Sequence, residues 1–247
     1  MRGNEKMNIV KTKDYETMSG EACKLVAQRL RTLTDPVLGL ATGSTPEGMY
    51  QCLINQYKEQ QISFKNVTTF NLDEYIGLAA DDPNSYQYFM NENFFKHIDI
   101  QENKTHLPNG VATNLKKECT DYEQKITDAG GIDLQVLGLG TNGHIAFNEP
   151  GTDFNGRTDI VDLAQATLDA NARFFDSIED VPTQALTMGI QSIMEAKEII
   201  LLVSGEQKAD ALAEVINGDV TEAFPASILQ KHNNVTIIAD EAALAKA

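Results

Sequence analysis

The sequence predicts an α/β fold, a modified Rossmann-like open and mainly parallel sheet with helices on both faces, and three observations point to it. Short aliphatic or β-branched runs alternate with longer stretches of helical periodicity. Several runs end in a turn of Gly, Ser, Thr or Asp, as strand-to-helix joints do. The size also fits, since 247 residues, 42% hydrophobic and 23% charged, suit one large domain without disordered bias.

Taken in order, the first helix is expected to include residues 21–33, with Leu25, Val26 and Leu30 on its buried face, leading into a strand at 36–41. A Gly/Ser/Thr turn follows, then a helix with Pro46 at its first position, where a missing N–H costs nothing. Residues 67–72 and 134–139 read as the next strands, separated by helical stretches near 86–96 and 115–128. Residues 199–203 and 235–239 supply later strands. No internal repeat or linker-like shift appears, so residues 1–247 are expected to form one domain, with 1–6 as an extension ahead of Met7. Residues 151–175 begin rich in Gly, Asp and Asn, turn helical near 163–175, and are expected to form a lid.

A formal net charge of −16 argues against nucleic acid or an anionic membrane as partner, because neutralising phosphates needs clustered Lys and Arg. A small anion then requires a local cationic pocket. Cys23, Cys52 and Cys119 are odd in number and widely spaced, without a C-x-x-C, so reduced, buried thiols are expected. The longest aliphatic run, 199–203, is far short of a bilayer span, and the polar start lacks a signal-peptide core, which makes the cytoplasm the expected compartment.

Ligands of open parallel sheets bind beyond the carboxyl ends of the strands, and four turns there carry polar groups. The first is Gly43-Ser44-Thr45, whose backbone N–H groups at a helix start suit an anion, with Thr45 as the alternative helix cap. It matches neither a nucleotide P-loop nor a dinucleotide glycine motif. In the second, Asp73 and Glu74 follow a strand; consecutive side chains diverge, so one of them, Asp73, is expected to face the ligand as a base. The third runs from Gly138 through Asn142, Gly143 and His144 to Glu149, pairing a histidine suited to proton shuttling with an acid five positions on. In the fourth, Lys208 lies in the first turn of a helix, where a cation opposes the dipole unless an anion is near, and Arg173 could complete a clamp. No metal-ligand spacing and no G-x-S-x-G occurs, which leaves cofactor-free acid–base chemistry.

In this order the turns resemble the glucosamine-6-phosphate deaminase family. The resemblance rests on Leu40-Ala41-Thr42-Gly43-Ser44-Thr45-Pro46, Phe70-Asn71-Leu72-Asp73-Glu74-Tyr75 and Gly143-His144-Ile145-Ala146-Phe147-Asn148-Glu149-Pro150. Ser85-Tyr86, Asn171-Ala172-Arg173-Phe174-Phe175 and Gln207-Lys208-Ala209 add to it. It implies conversion of glucosamine 6-phosphate and water to fructose 6-phosphate and ammonia, without metal or redox cofactor. His144, oriented by Glu149, would open the sugar ring, and Asp73 would carry the proton from C2 to C1. The phosphate would sit among Gly43, Ser44, Thr45, Arg173 and Lys208. Asn142, counted with the catalytic residues, stands where certain relatives carry an acid; it can hydrogen-bond but supplies neither charge nor basicity. Glu149 is therefore expected to be the sole carboxylate partner of His144. Longer hexameric relatives bind an activator through basic residues after the Asn-Glu-Pro segment. Here that stretch reads Arg157-Thr158-Asp159-Ile160-Val161, so an unregulated enzyme is expected, with a monomer favoured over a homo-oligomer. The rival readings are a 6-phosphogluconolactonase-like hydrolase and a non-catalytic sugar-phosphate sensor.

Overall fold

Seven strands build the central sheet in the computed structural model, which describes residues 7–172, 175, 177 and 180–247. They are β1 (Asn8–Thr12), β2 (Val37–Leu40), β3 (Thr68–Asn71), β5 (Thr105–His106), β6 (Leu134–Gly138), β9 (Ile199–Val203) and β10 (Val235–Asp240). Their order is β1-β10-β9-β6-β2-β3-β5, and every neighbouring pair is parallel. Central strands of such a sheet are covered on both faces, which is why all of Ile199–Val203 is apolar and buried.

Alternate residues of these strands feed two cores. Leu38, Leu40, Val136, Ile200 and Leu202 pack with Met18, Val26, Met49, Leu53 and Met90 of α1 (Tyr15–Thr32), α2 (Ser44–Lys58) and α3 (Tyr86–Asn93). Leu137, Ile199, Leu201, Val203 and Ile237 pack on the other face with α4 (Leu115–Asp128), α6 (Ile190–Met194) and α7 (Ala209–Asn217), through Tyr122, Ile193 and Leu212.

Helix α1 takes in the stretch expected to be helical up to Thr32 and begins earlier, at Tyr15, because Asp14 and Thr17 form a reciprocal capping box; of its expected apolar face Val26 is buried, Leu25 and Leu30 only partly. Two local readings are corrected. Helix α2 starts at Ser44 with Gly43 as its N-cap, so Pro46 is third in the helix and Thr45 is not the cap. Cys23 and Cys52 are not free thiols: α1 packs so closely on α2 that they form a disulfide, with Cα atoms 6.0 Å apart, while Cys119 is free and buried.

β1 at the sheet edge was not foreseen, nor was a second, antiparallel sheet of β4 (Asp73–Tyr75), β8 (Gln184–Thr187) and β7 (Asp159–Asp162), ordered β4-β8-β7. It lies just beyond β3, since only Leu72 separates Asn71 from Asp73. The stretch expected as a lid contains β7 and the short helix α5 (Gln165–Asn171).

Candidate active site

The sheet order reverses between β2 and β6: from β2 the chain proceeds to β3 on one side, and from β6 to β9 and β10 on the other. Helix α2 therefore covers one face and α6 the opposite one. The turns after β2 and β6 part, and a crevice opens at the carboxyl edge. A cavity of about 600 Å³ occupies it, with Gly43, Ser44, Thr45, Asp73, Asn142, His144 and Lys208 all in its wall. A larger hollow of about 680 Å³ at the opposite edge, lined by Leu33, Tyr57, Gln61 and Lys65, holds none of these residues.

On the β2 side, Gly43 takes φ +87°, a conformation that disfavours any residue with a Cβ, and this turns the chain directly into α2. No side chain caps the helix, so its first turn and positive dipole end are directed at the cavity. The turn is braced from behind by the Tyr15 hydroxyl, which donates to the Ser44 carbonyl at 2.7 Å and accepts from the Gly48 N–H at 2.9 Å.

Lys208 approaches from the β9 side. It is the N-cap residue of α7, at the end of a 3₁₀ turn, rather than within the first turn of the helix. Its Nζ donates to the Leu139 carbonyl at 2.7 Å, and burial holds its pKa below the ordinary lysine value. A half-buried ammonium beside one neutral acceptor retains capacity for an anion.

Asp73 and Glu74 diverge. Asp73 is buried in the cavity wall, and burial, with the adjacent Glu74 carboxylate adding to it, pushes its pKa up to about 8. Glu74 turns to the start of α3, where its oxygens accept from the N–H groups of Tyr86 and Gln87 at 3.0 and 2.9 Å. Burial raises the Glu74 pKa and these donors only partly offset it. Anchored this way, the Tyr86 ring lies 4.8 Å from that of Tyr75 and stacks at 6.1 Å on Phe147, an apolar wall beside Asp73.

The β6 turn carries the third group. Its tip is pinned to the small sheet, because Asn148 Nδ2 donates to the Met188 carbonyl at 2.9 Å and the Phe147 N–H to Thr187 Oγ1 at 3.1 Å; Thr187 is paired with Asp73. Ala146 is forced to φ +53° within this turn. Gly140 makes room for the imidazole, as a Cβ there would lie 2.3 Å from the His144 ring. His144 does not meet Glu149 as its nearest partner: Asn142 stands between them. Asn142 Oδ1 lies 2.6 Å from His144 Nδ1, Asn142 Nδ2 donates to Glu149 Oε2 at 2.8 Å, and Nδ1 is 3.5 Å from Oε2. Thr167 of α5 donates to Glu149 Oε1 at 2.5 Å. Burial acts to raise the Glu149 pKa, but His144, Thr167 and Asn142 outweigh it and bring it down to about 2. An ionised Glu149 only accepts, so Asn142 must turn its NH₂ toward it and its oxygen toward His144. The ring proton of a neutral His144 then sits on Nδ1, and Nε2 is left to take a proton.

Arg173 lies outside the described residues, as does Phe174. Sequence reasoning missed Thr167, Tyr86 and Tyr15 as parts of the site. A family-motif position marked Tyr86; Thr167 and Tyr15 join the site only through the fold.

An open parallel sheet with acid–base groups and an uncapped helix start at its switch point defines the class: an α/β enzyme built for a small phosphorylated ligand. The chain belongs to the glucosamine-6-phosphate isomerases/6-phosphogluconolactonase family, whose pattern it matches over residues 13–238. It is 61% identical to the glucosamine-6-phosphate deaminase of Oceanobacillus iheyensis over 96% of this chain and 95% of that one. The deaminase of Shouchella clausii is 59% identical over 96% of both. Among solved structures, a monomeric glucosamine-6-phosphate deaminase superposes with a TM-score of 0.95 at 48% identity, covering 98% of this chain and all of the other. The 6-phosphogluconolactonase of Trypanosoma cruzi shares the fold, with a TM-score of 0.76 at 22% identity, 98% of this chain and 97% of the other being covered.

Proposed function

We propose that this protein converts glucosamine 6-phosphate and water to fructose 6-phosphate and ammonia. The observation that carries the reading is the pairing, in one cavity, of a buried carboxylate of raised pKa, Asp73, with a histidine whose tautomer is set by Asn142 and Glu149.

The phosphate binds at the start of α2, at Gly43, Ser44 and Thr45, with Lys208 supplying charge and Arg173 completing the clamp. Anchoring this remote dianion positions the sugar for the reacting carbons. His144 Nε2 takes the proton of the C1 hydroxyl and passes it to the ring oxygen, which opens the pyranose to the aldehyde. Glu149 stabilises the transient imidazolium through the Asn142 amide and across 3.5 Å. Asp73 then removes the C2 proton, giving an enolamine, and returns it to C1. The resulting C2 imine adds water and expels ammonia, leaving the ketose. As a carboxylate, Asp73 is more basic in its apolar wall than in water, which suits abstraction of a carbon-bound proton.

Residues 151–175, within one domain, act as a lid. Thr167 and Phe175 line the cavity, and the hydrogen bond of Thr167 to Glu149 ties lid position to the ring-opening group. Arg157 is engaged by Glu123 and Glu195, at 3.1 and 2.5 Å, which supports an enzyme without an anionic activator. The reading is of a cytoplasmic enzyme that works as a monomer, as a solved deaminase relative does. No helix among the described residues is long and apolar enough to cross a membrane.

The test is to incubate the protein with glucosamine 6-phosphate and measure ammonia and fructose 6-phosphate, with 6-phosphogluconolactone as control substrate. Both products are expected, with little lactone hydrolysis. Absence of ammonia refutes the reading, and sigmoidal kinetics abolished by N-acetylglucosamine 6-phosphate would refute the unregulated form.

A further inference from the structure

A fifth strand end contributes to the site without touching the cavity. Asp240 is the last residue of β10 and is 4% exposed. Its carboxylate accepts from Ser204 Oγ at 2.5 Å and from the Gly205 N–H at 3.0 and 3.1 Å, both in the turn after β9, and from the Ala243 N–H at 2.8 Å. Gly205, at φ +95°, accepts at its carbonyl from the Lys208 N–H at 3.0 Å, closing the 3₁₀ turn that presents Lys208. On its other side the same turn is held by Lys208 Nζ on the Leu139 carbonyl, beyond β6. The Lys208 turn is thus tied to both neighbouring strands, by Asp240 from β10 and by its own ammonium from β6.

We infer that Asp240 is a positioning residue for the substrate phosphate, acting through Ser204 and Gly205 to fix where Lys208 reaches into the cavity. The inference rests on the reading of Lys208 as a phosphate-binding cation. A carboxylate that only refines the place of one cation, in a clamp whose other groups still anchor the phosphate, weakens binding of ground state and transition state alike and so should alter KM far more than kcat. A merely structural carboxylate would instead lower thermal stability and the active fraction, with KM unchanged.

The experiment is a double-mutant cycle on the full chain, with glucosamine 6-phosphate as substrate. Asp240→Asn is expected to raise KM roughly fivefold to tenfold with kcat within about twofold, and Ser204→Ala, which keeps the carboxylate, roughly twofold to threefold. In a Lys208→Ala background neither change should raise KM further, because the group they position is gone. Inorganic phosphate, as a competing anion, should lose affinity in parallel with KM in the single variants. Equal KM increases with and without Lys208 overturn the inference, as does a Ser204→Ala enzyme of unchanged KM. If Lys208→Ala alone leaves KM unchanged, the phosphate reading of Lys208 fails and this inference falls with it; additive effects beside a raised Lys208→Ala KM sink the inference alone.

Discussion

Asn142 donates its side-chain amide to Glu149 at 2.8 Å, and this one contact decides which nitrogen of His144 is free to act as a base. An amide there carries no charge, yet its direction is fixed by the ionised carboxylate behind it. Asn142→Leu keeps the bulk and removes the hydrogen bonds to Glu149, to His144 Nδ1 and to the His144 backbone N–H, so the ring is no longer confined to one tautomer. Its kcat is expected to fall about 10²-fold with little change in KM. Steady-state kinetics with glucosamine 6-phosphate check this; an undiminished kcat would mean that Glu149 alone orients the ring.

Glu149 has a folded-state pKa of about 2, below its ordinary value of 4.5. The folded state therefore binds fewer protons than the unfolded chain between these values. The stabilisation is complete above pH 4.5 and is lost as pH falls through 2. Glu149→Gln is expected to lower stability by roughly 1–3 kcal/mol at pH 7, with the deficit shrinking as pH falls toward 3. Urea unfolding of both proteins across that range measures it, and a deficit independent of pH contradicts the assignment.

For Asp73 the sign is opposite. Its pKa, raised from 3.8 to about 8, means the folded state holds the extra proton, and ionisation costs stability progressively as pH rises through that window. Asp73→Asn should stop solvent exchange at C2 while stabilising the fold, by about 1–3 kcal/mol at pH 8 and less at pH 5. In the wild-type enzyme kcat/KM, which reports the free protein, should rise up to about pH 8. The acidic limb of kcat should lie lower, because a bound ammonium group favours the carboxylate. Equal stability of the two proteins at pH 8 would show that the carboxylate is not dehydrated.

What was legible in the sequence follows from how each feature is encoded. Residues 199–203 read as a strand because they are apolar throughout, as a strand buried on both faces tends to be, and 235–239 because only the β-branched Thr236 interrupts an apolar run. β4 and β7, of three and four residues and each bearing acids, are too short to display a period. Asp73 was visible because it lies just past the strand read at 67–72, and His144 because it follows the Gly-rich turn after β6. Thr167 was not, since it meets Glu149 across 18 residues of chain that only the fold brings back. Asp240 lies one residue beyond the expected end of its strand, and its partners Ser204 and Gly205 belong to another strand's turn. The disulfide was hidden by an odd cysteine count and a separation of 29 residues.

Ala146 tests the cost of shaping the His144 turn. At φ +53° its Cβ crowds the backbone, a strain that glycine does not bear. Ala146→Gly is expected to stabilise the protein by roughly 0.5–1 kcal/mol, the relief of strain exceeding the added freedom of the unfolded chain. Because Ala146 lines the cavity, the looser turn should also lower kcat by a small factor. Thermal unfolding and kinetics on the same preparation decide; a destabilised variant would show that the turn favours alanine.

The Cys23–Cys52 bond joins α1 to α2, but Tyr15 braces the start of α2 independently of it, so its loss should be felt mainly in stability. Closing a loop of this length restricts the unfolded chain by about 3–4 kcal/mol in the chain-entropy account. A reductant should lower the Tm of the oxidised wild-type protein by several degrees and leave a Cys23→Ser, Cys52→Ser double variant unmoved. Tyr15 still braces Ser44 and Gly48 in that variant, so KM should change by less than about twofold, whereas Tyr15→Phe, with the disulfide intact, should raise it further. A KM that follows the redox state and ignores Tyr15 would reverse the order of importance and make the disulfide the main brace of the turn.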